Sequence, residues 1–309
     1  MRWGEGRVRN FALTALSRDV LQYRSCDLKD IQGDRYSVER IGGVFVCTGD
    51  ESKHQAKWRS DVYNISPFHG RSALYESDGE YVYIKGTGWT FGGASVVTSP
   101  KDPGLVFGLY DKKFAEREFE VSKVLNSHGI RACRVLGYGS LEEVSHSNVE
   151  AAQLFVSTLY PLRVADLSFV PSLDIREKFV EDVARLCKLS KSTLDYFVYW
   201  FVESLSGSII QLHSMGGACD SLTYDNVTLA GELVDFEWLF VPGIPTPDGN
   251  ADIFIEERQK KAAIYTCEIG FYLANFLDVR ITISQLAKHI LSKHREASPF
   301  TETLETLVC

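Results

Sequence analysis

The chain lacks the residues on which several common chemistries depend. Its 309 residues contain no run of eighteen apolar side chains, so no membrane-spanning helix is expected. The start, Met1-Arg2-Trp3-Gly4-Glu5-Gly6, has no apolar stretch of the kind found in a secretory leader. The seven cysteines are odd in number and include no Cys-x-x-Cys pair. This argues against a disulfide framework or a zinc site and points to a reducing, cytoplasmic setting. There is no His-Glu-x-x-His zinc motif and no Gly-x-Ser-x-Gly elbow. Internal repeats and low-complexity tracts are also missing. A formal net charge of −8 gives none of the basic footprint of a general nucleic-acid binder. What the chain does have is apolar content, 45% of its residues, enough for a large core. Its length predicts about two domains or lobes.

The most informative stretch is Asp225-Asn226-Val227-Thr228-Leu229-Ala230-Gly231-Glu232-Leu233-Val234-Asp235-Phe236. Val227, Leu229, Leu233 and Val234 predict two short apolar strands, with a tight turn at Ala230-Gly231. A hairpin returns the chain beside its own start, so Asn226 and the carboxylates of Asp225 and Asp235 would share one small volume. Hard oxygen ligands on a rigid hairpin suit a Mg²⁺ or Mn²⁺ ion that keeps waters and holds nucleotide phosphates. Protein kinases place a catalytic-loop Asn and a later Asp this way. The alternative is an ordinary surface hairpin with polar ends.

Such enzymes also need a lysine on an N-terminal strand and a glutamate on a helix. Tyr81-Val82-Tyr83-Ile84-Lys85 alternates as a strand after an Asp78-Gly79 turn, with Leu74-Tyr75-Glu76 as its partner. Gly86-Thr87-Gly88-Trp89-Thr90-Phe91-Gly92-Gly93 follows. Its glycines would let backbone N–H groups approach phosphate oxygens, or simply connect two strands. Phe114, Glu118, Val121 and Leu125 are spaced four, three and four apart, one helical stripe ending at Gly129. Glu118 thus lies on an apolar face, where burial calls for a cation. Lys85 is the natural candidate.

Lys85-Gly86-Thr87-Gly88, Arg117-Glu118-Phe119 before His128-Gly129-Ile130, Arg163-Val164-Ala165, and Tyr224-Asp225-Asn226 before Val234-Asp235-Phe236 follow one another in a telling order. In that order, over about residues 70 to 240, the chain resembles the selenoprotein O family. The resemblance implies a protein-kinase-like fold that transfers AMP from ATP to protein hydroxyls, with the nucleotide flipped. It further implies Lys85 and Glu118 as the phosphate-binding ion pair, Gly86 and Gly88 beside the phosphates, and Arg163 on the buried phosphates. Asp225 would be the base, and Asn226 and Asp235 the metal ligands. The chain departs from the pattern at three places. Ser221 stands where kinases carry their catalytic Asp, Cys219-Asp220 replaces a His-Gly pair, and Val170 stands where a second arginine is expected. Arg176 would replace that arginine only with a rearranged loop.

The expected class is therefore α+β, a protein-kinase-like bilobal fold with an N-terminal β-rich lobe and a C-terminal, mainly helical lobe. Residues 71–159 form the first lobe and 160–309 the second, after an N-terminal extension, 1–70, to which no role is assigned. A strand is expected at Leu154–Leu159, a hinge near Tyr160-Pro161, and helices at Leu173–Leu189, Leu194–His213 and Ile253–Leu277. Pro242, Pro245 and Pro247 mark an irregular loop. The aromatic run Tyr196–Phe201 reads as core, and His213 with Cys219 as structural residues. The leading functional expectation is an ATP- and Mg²⁺-dependent transfer of AMP to an unidentified hydroxyl acceptor, without nucleic-acid or membrane partners. The alternatives are a phosphotransferase and an inactive pseudokinase scaffold, which the serine at 221 favours.

Overall fold

Tyr81, Val82, Tyr83 and Ile84 are all buried, so both faces of their strand are covered and it must lie inside a sheet. The computed structural model describes residues 21–24, 28–41, 44–47, 63–65, 72–77, 80–86, 110–146, 149–170, 172–191, 193–219, 222–236, 239–246, 254–296 and 298–308. Within these residues β6 (Glu80–Lys85) pairs antiparallel with β5 (Ser72–Ser77) on one side and β9 (Val149–Thr158) on the other. The sheet runs β2 (Lys29–Gly33), β8 (Arg134–His146), β9, β6, β5 and β4 (Tyr63–Ile65). The short β7 (Tyr110–Asp111) also pairs with β9. Residues 29–33, from the stretch with no expected role, thus form an edge of the sheet. A separate ribbon joins β1 (Leu21–Arg24) to β3 (Val44–Cys47), and α1 (Arg35–Ile41) buries Val38 and Ile41.

The chain divides into two compact units, Met1–Phe119 with Arg134–Pro161, and Glu120–Cys133 with Leu162–Cys309. The first is the β-rich one. The second is mainly helical, with α3 (Leu173–Leu186), α4 (Leu194–Ser214), α5 (Ile255–Phe276), α6 (Ile283–Lys293) and α7 (Pro299–Val308). It also holds the two-residue strands β10 (Ala218–Cys219) and β11 (Leu239–Phe240). This is the expected α+β class. The helix boundaries fall within a few residues of those read from periodicity, since α3 stops at Leu186 rather than Leu189.

Helix α4 anchors the second unit. Phe197, Phe201, Leu205, Ile209 and Leu212 recur every three or four residues and are fully buried. The aromatic run is therefore core where Phe197 and Phe201 point inward. Its other rings lie nearer the surface, with Tyr199 against His289 and Trp200 under the Arg131 guanidinium. Opposite α4, a Cβ on Gly270 of α5 would stand 2.2 Å from Val202 Cγ1, so only glycine lets the two helices approach so closely.

Candidate functional site

Part of the candidate site lies in the β-rich unit. Lys85 closes β6 and stands opposite Leu154 of β9. Helix α2 (Lys112–Ser127) begins directly after β7, where Asp111 Oδ1 accepts from the Lys113 N–H and caps the first turn. This start phases the helix so that Glu118, fully buried, meets the strand. The Lys85 ammonium donates to Glu118 Oε1 at 2.6 Å, and both side chains are largely shielded, 12% and 1% exposed. Lys85 is thus the cation opposite Glu118. Tyr110 also donates its phenol to Glu118 Oε1, and Lys85 Nζ lies 5.4 Å from the Tyr110 ring centroid. Sequence reasoning missed Tyr110. The only signal available for it was its place two residues ahead of a helix.

Gly86 follows Lys85 at φ +80°, where a Cβ would lie 2.3 Å from the Ala152 carbonyl oxygen. A side chain there would push the strand away from β9 or tilt Lys85. Gly88 lies outside the described residues, as do Asp220 and Ser221.

The remaining candidate residues lie in the second unit, on the hairpin. Val227 bridges Leu233, and Thr228 and Glu232 are joined by the Thr228 N–H donating to the Glu232 carbonyl at 3.0 Å. The turn itself is centred one residue earlier than expected, on Leu229-Ala230. The Gly231 N–H closes it on the Thr228 carbonyl at 2.9 Å, with Gly231 left-handed at φ +74°. This is the three-residue loop that ends in a glycine bulge. Leu229 is consequently a turn residue rather than a strand residue. It is buried, and its N–H donates to the Leu162 carbonyl. Leu233 also bridges Ala132, so the hairpin is held from two sides.

The hairpin returns as expected. The Val234 N–H donates to the Asn226 carbonyl at 3.0 Å, which sets Asp235 one residue beyond that rung. Arg163 ties this end together. Its Nη1 donates to Asp235 Oδ2 and to the Asp225 carbonyl oxygen, each at 2.7 Å. The Asp225 carboxylate instead accepts from the Thr223 hydroxyl. Arg163 is itself fixed by Asp166, whose Oδ2 accepts the Arg163 N–H at 2.8 Å. Asp166 is buried, and that burial raises its acid to about 6, against the opposing pull of the Arg163 N–H and guanidinium.

Mg²⁺ is satisfied by one or two protein oxygens when phosphates and waters complete its shell. The Asp235 carboxylate and the Asn226 amide oxygen are of that chemical type. Among the described residues, no group of three or more His, Cys, Asp or Glu side chains could hold a metal on its own. Arg176 is used elsewhere. It donates to the carbonyls of Val170 and of Phe276 at the end of α5, 2.7 and 2.5 Å away, while Val170 is buried. His213 packs edge-on against Phe300, and Cys219 is buried in β10. The second unit also sets Tyr224, the residue before Asp225, against the exposed Tyr272, ring centroids 5.3 Å apart.

A scan against protein-family models finds no match, and a search of curated proteins finds none. Among solved structures the chain is similar to a Stt7 homolog from Micromonas algae soaked with ATP. The identity is 14% and the TM-score 0.36, over 73% of this chain and 80% of that one. It is also similar to a rhoptry kinase from Toxoplasma gondii, at 11% identity and a TM-score of 0.39, over 98% of this chain and 81% of that one. WaaP in complex with acyl carrier protein is similar at 12% identity and a TM-score of 0.34, over 80% and 88% of the two chains. These scores are low, and the reading of the site rests on its own residues.

Proposed function

We propose that this chain is an ATP- and Mg²⁺-dependent (or Mn²⁺-dependent) transferase of protein-kinase-like fold that modifies a hydroxyl acceptor. On this reading 71–159 is the nucleotide-binding lobe and 160–309 the catalytic lobe. The observation that carries it is the shielded Lys85–Glu118 pair, joined at 2.6 Å between a central strand and a helix. A buried ion pair is weak evidence of stabilisation, because desolvation cancels much of the attraction. Its use here is to hold an ammonium rigidly where nucleotide phosphates can bind. Lys85 would meet phosphate oxygens, with Glu118 and Tyr110 fixing its position and Gly86 and Gly88 allowing close approach.

Asn226 and Asp235 would hold the metal, whose chemistry is to neutralise phosphate charge in the transition state. Asp225 would accept the acceptor's proton. Arg163, which the family resemblance assigns to the buried phosphates, would also set the position of Asp235. The resemblance to selenoprotein O supports AMP as the group transferred.

A second reading, phosphoryl transfer with ATP in the ordinary orientation, is favoured by one observation. Arg176 is bound to two carbonyls and Val170 is buried, so the second arginine of the flipped arrangement has no counterpart in this segment. Incubating the chain with ATP labelled at the α-phosphate, and separately at the γ-phosphate, tests both readings. Acceptor or self-labelling from the α-position means AMP transfer, and labelling from γ alone means phosphoryl transfer. ATP binding with neither label transferred would leave a pseudokinase scaffold, and no ATP binding would overturn the proposal.

A further inference from the structure

In the second unit, apart from the hairpin residues, the C-terminal ends of α4 and α6, the start of α7 and one residue of α5 line a cavity of about 690 Å³. That volume falls within the range of small-molecule sites. Its wall includes His213, Lys293, His294, Arg295 and Ser298. Both ring nitrogens of His213 are buried and make no hydrogen bond among the described residues, and the same holds for Nε2 of His294. A neutral imidazole carries one donor and one acceptor, and leaving both unmet inside a protein is costly. The His213 ring is oriented by packing, edge-on to Phe300 with centroids 5.8 Å apart. Burial lowers the pKa of His213 to about 4 and holds that of His294 below its usual value. Both rings are therefore neutral near pH 7.

The wall itself carries two cations and one carboxylate. Arg295 makes no ion pair among the described residues, while Lys293 lies 3.4 Å from Glu203, which also meets His289. Glu296 is the one carboxylate on the wall. The start of α7 adds the positive end of a helix, with Ser298 Oγ accepting the Thr301 N–H at 3.2 Å.

We propose that this cavity binds a small hydroxyl-bearing oxyanion, of the class of sugar or polyol phosphates. Hydroxyl groups, which both donate and accept, would complete His213 and His294. The anionic group would be met by Arg295, Lys293 and the start of α7. The site is independent of the transferase reading, since none of its residues carries a role there.

The test is thermal unfolding and titration calorimetry on the full chain with glucose 6-phosphate, glycerol 3-phosphate, inorganic phosphate and neutral glucose. The phosphate esters should raise the unfolding temperature at millimolar concentration, and glucose should not. Arg295→Glu, at an exposed position, should abolish the response. His213→Phe should weaken binding about tenfold, the scale of one lost hydrogen bond. Should His213→Phe fail to fold, Arg295→Glu still decides the matter. The proposal is overturned if neither ester stabilises the chain, or if Arg295→Glu binds both as the unaltered protein does. Glucose or inorganic phosphate binding as tightly as the esters would also overturn it.

Discussion

Arg163 and Asp235 are joined at 2.7 Å across 72 residues of sequence, the guanidinium only 4% exposed and the carboxylate 18%. Asp235 holds this contact in the left-handed region, at φ +59°, which aspartate tolerates better than most side chains. The carboxylate offsets a buried guanidinium, and on the proposed reading it would also offer oxygen to a metal. Substitutions can separate these two roles. Asp235→Asn keeps an oxygen for Arg163 and suits the backbone, so the fold should persist while nucleotide turnover is lost with the carboxylate charge. Asp235→Ala should in addition cost about 1–3 kcal/mol, because the guanidinium loses its hydrogen-bond acceptor as well as the charge, and about 1–2 kcal/mol of backbone strain. Thermal melts and ATP turnover of both variants check this. Undiminished turnover with the usual Mg²⁺ requirement in Asp235→Asn would remove Asp235 from the site.

Lys85, Glu118 and Tyr110 form a second group whose members should act together. Glu118→Gln should lower turnover by misplacing Lys85, although Glu118 is assigned no contact with substrate. Lys85→Met alone should abolish it, and the double variant should be no worse than Lys85→Met. Residues in contact are expected to be non-additive in this way. Additive losses in a double-mutant cycle of kcat/KM would show that the two side chains act separately. Tyr110→Phe, which removes one donor to Glu118, should show a smaller loss, chiefly in KM for ATP.

These two groups differ in how legible they were from sequence. The alternation ending at Lys85 and the four-three-four spacing around Glu118 each fix a face locally, and a buried carboxylate demands a cation, so the pair could be inferred. The hairpin was legible from its apolar residues, but its turn was misplaced by one. A left-handed Gly231 can follow the turn as well as sit within it, and the hydrogen bond from Leu229 to Leu162 chooses between them. The Arg163–Asp235 contact had no local signal, because it depends on Arg163 bridging Thr228 beside the hairpin. Arg176 was open to a phosphate role until its carbonyl partners at Val170 and Phe276 were known. The cavity around His213 is set by the packing of α4, α6 and α7, which periodicity within any one helix does not contain.

Asp166 gives a pH-dependent prediction. Its acid is raised from 3.8 to about 6 by burial, so between these values the folded state binds more protons than the unfolded one. Stability should then fall as pH rises from about 4 to 6, by as much as about 3 kcal/mol from this group. It is retained in full below the unfolded value and lost above the folded one. Asp166→Asn keeps an oxygen for the Arg163 N–H and removes the ionisation. Urea unfolding across this range should therefore show a flatter profile in the variant, which should be at least as stable as the unaltered chain at pH 7. An unchanged slope would show that Asp166 does not titrate there.

The base is the last residue that substitution can place. On the proposed reading Ser221 stands where kinases carry a carboxylate, so the acceptor's proton would go elsewhere, and Asp225 adjoins the metal-ligand candidate Asn226. The structure gives Asp225 two attachments. Its carbonyl accepts from Arg163 and its carboxylate from the Thr223 hydroxyl. The first positions the loop, and the second orients the carboxylate. A general base contributes roughly 10²–10⁴-fold in rate, so Asp225→Asn should slow transfer by about that factor. Nucleotide affinity should be nearly unchanged, because the candidate metal ligands Asn226 and Asp235 are unaltered. Thr223→Val, which removes only the orienting hydroxyl, should produce a smaller loss in kcat with the same affinity. Single-turnover transfer and ATP titration distinguish the outcomes. Loss of ATP binding in Asp225→Asn would make the carboxylate a metal ligand. Unchanged turnover would reduce it to a cap on the Thr223 turn, and Asp220→Asn then tests the remaining carboxylate close by in sequence.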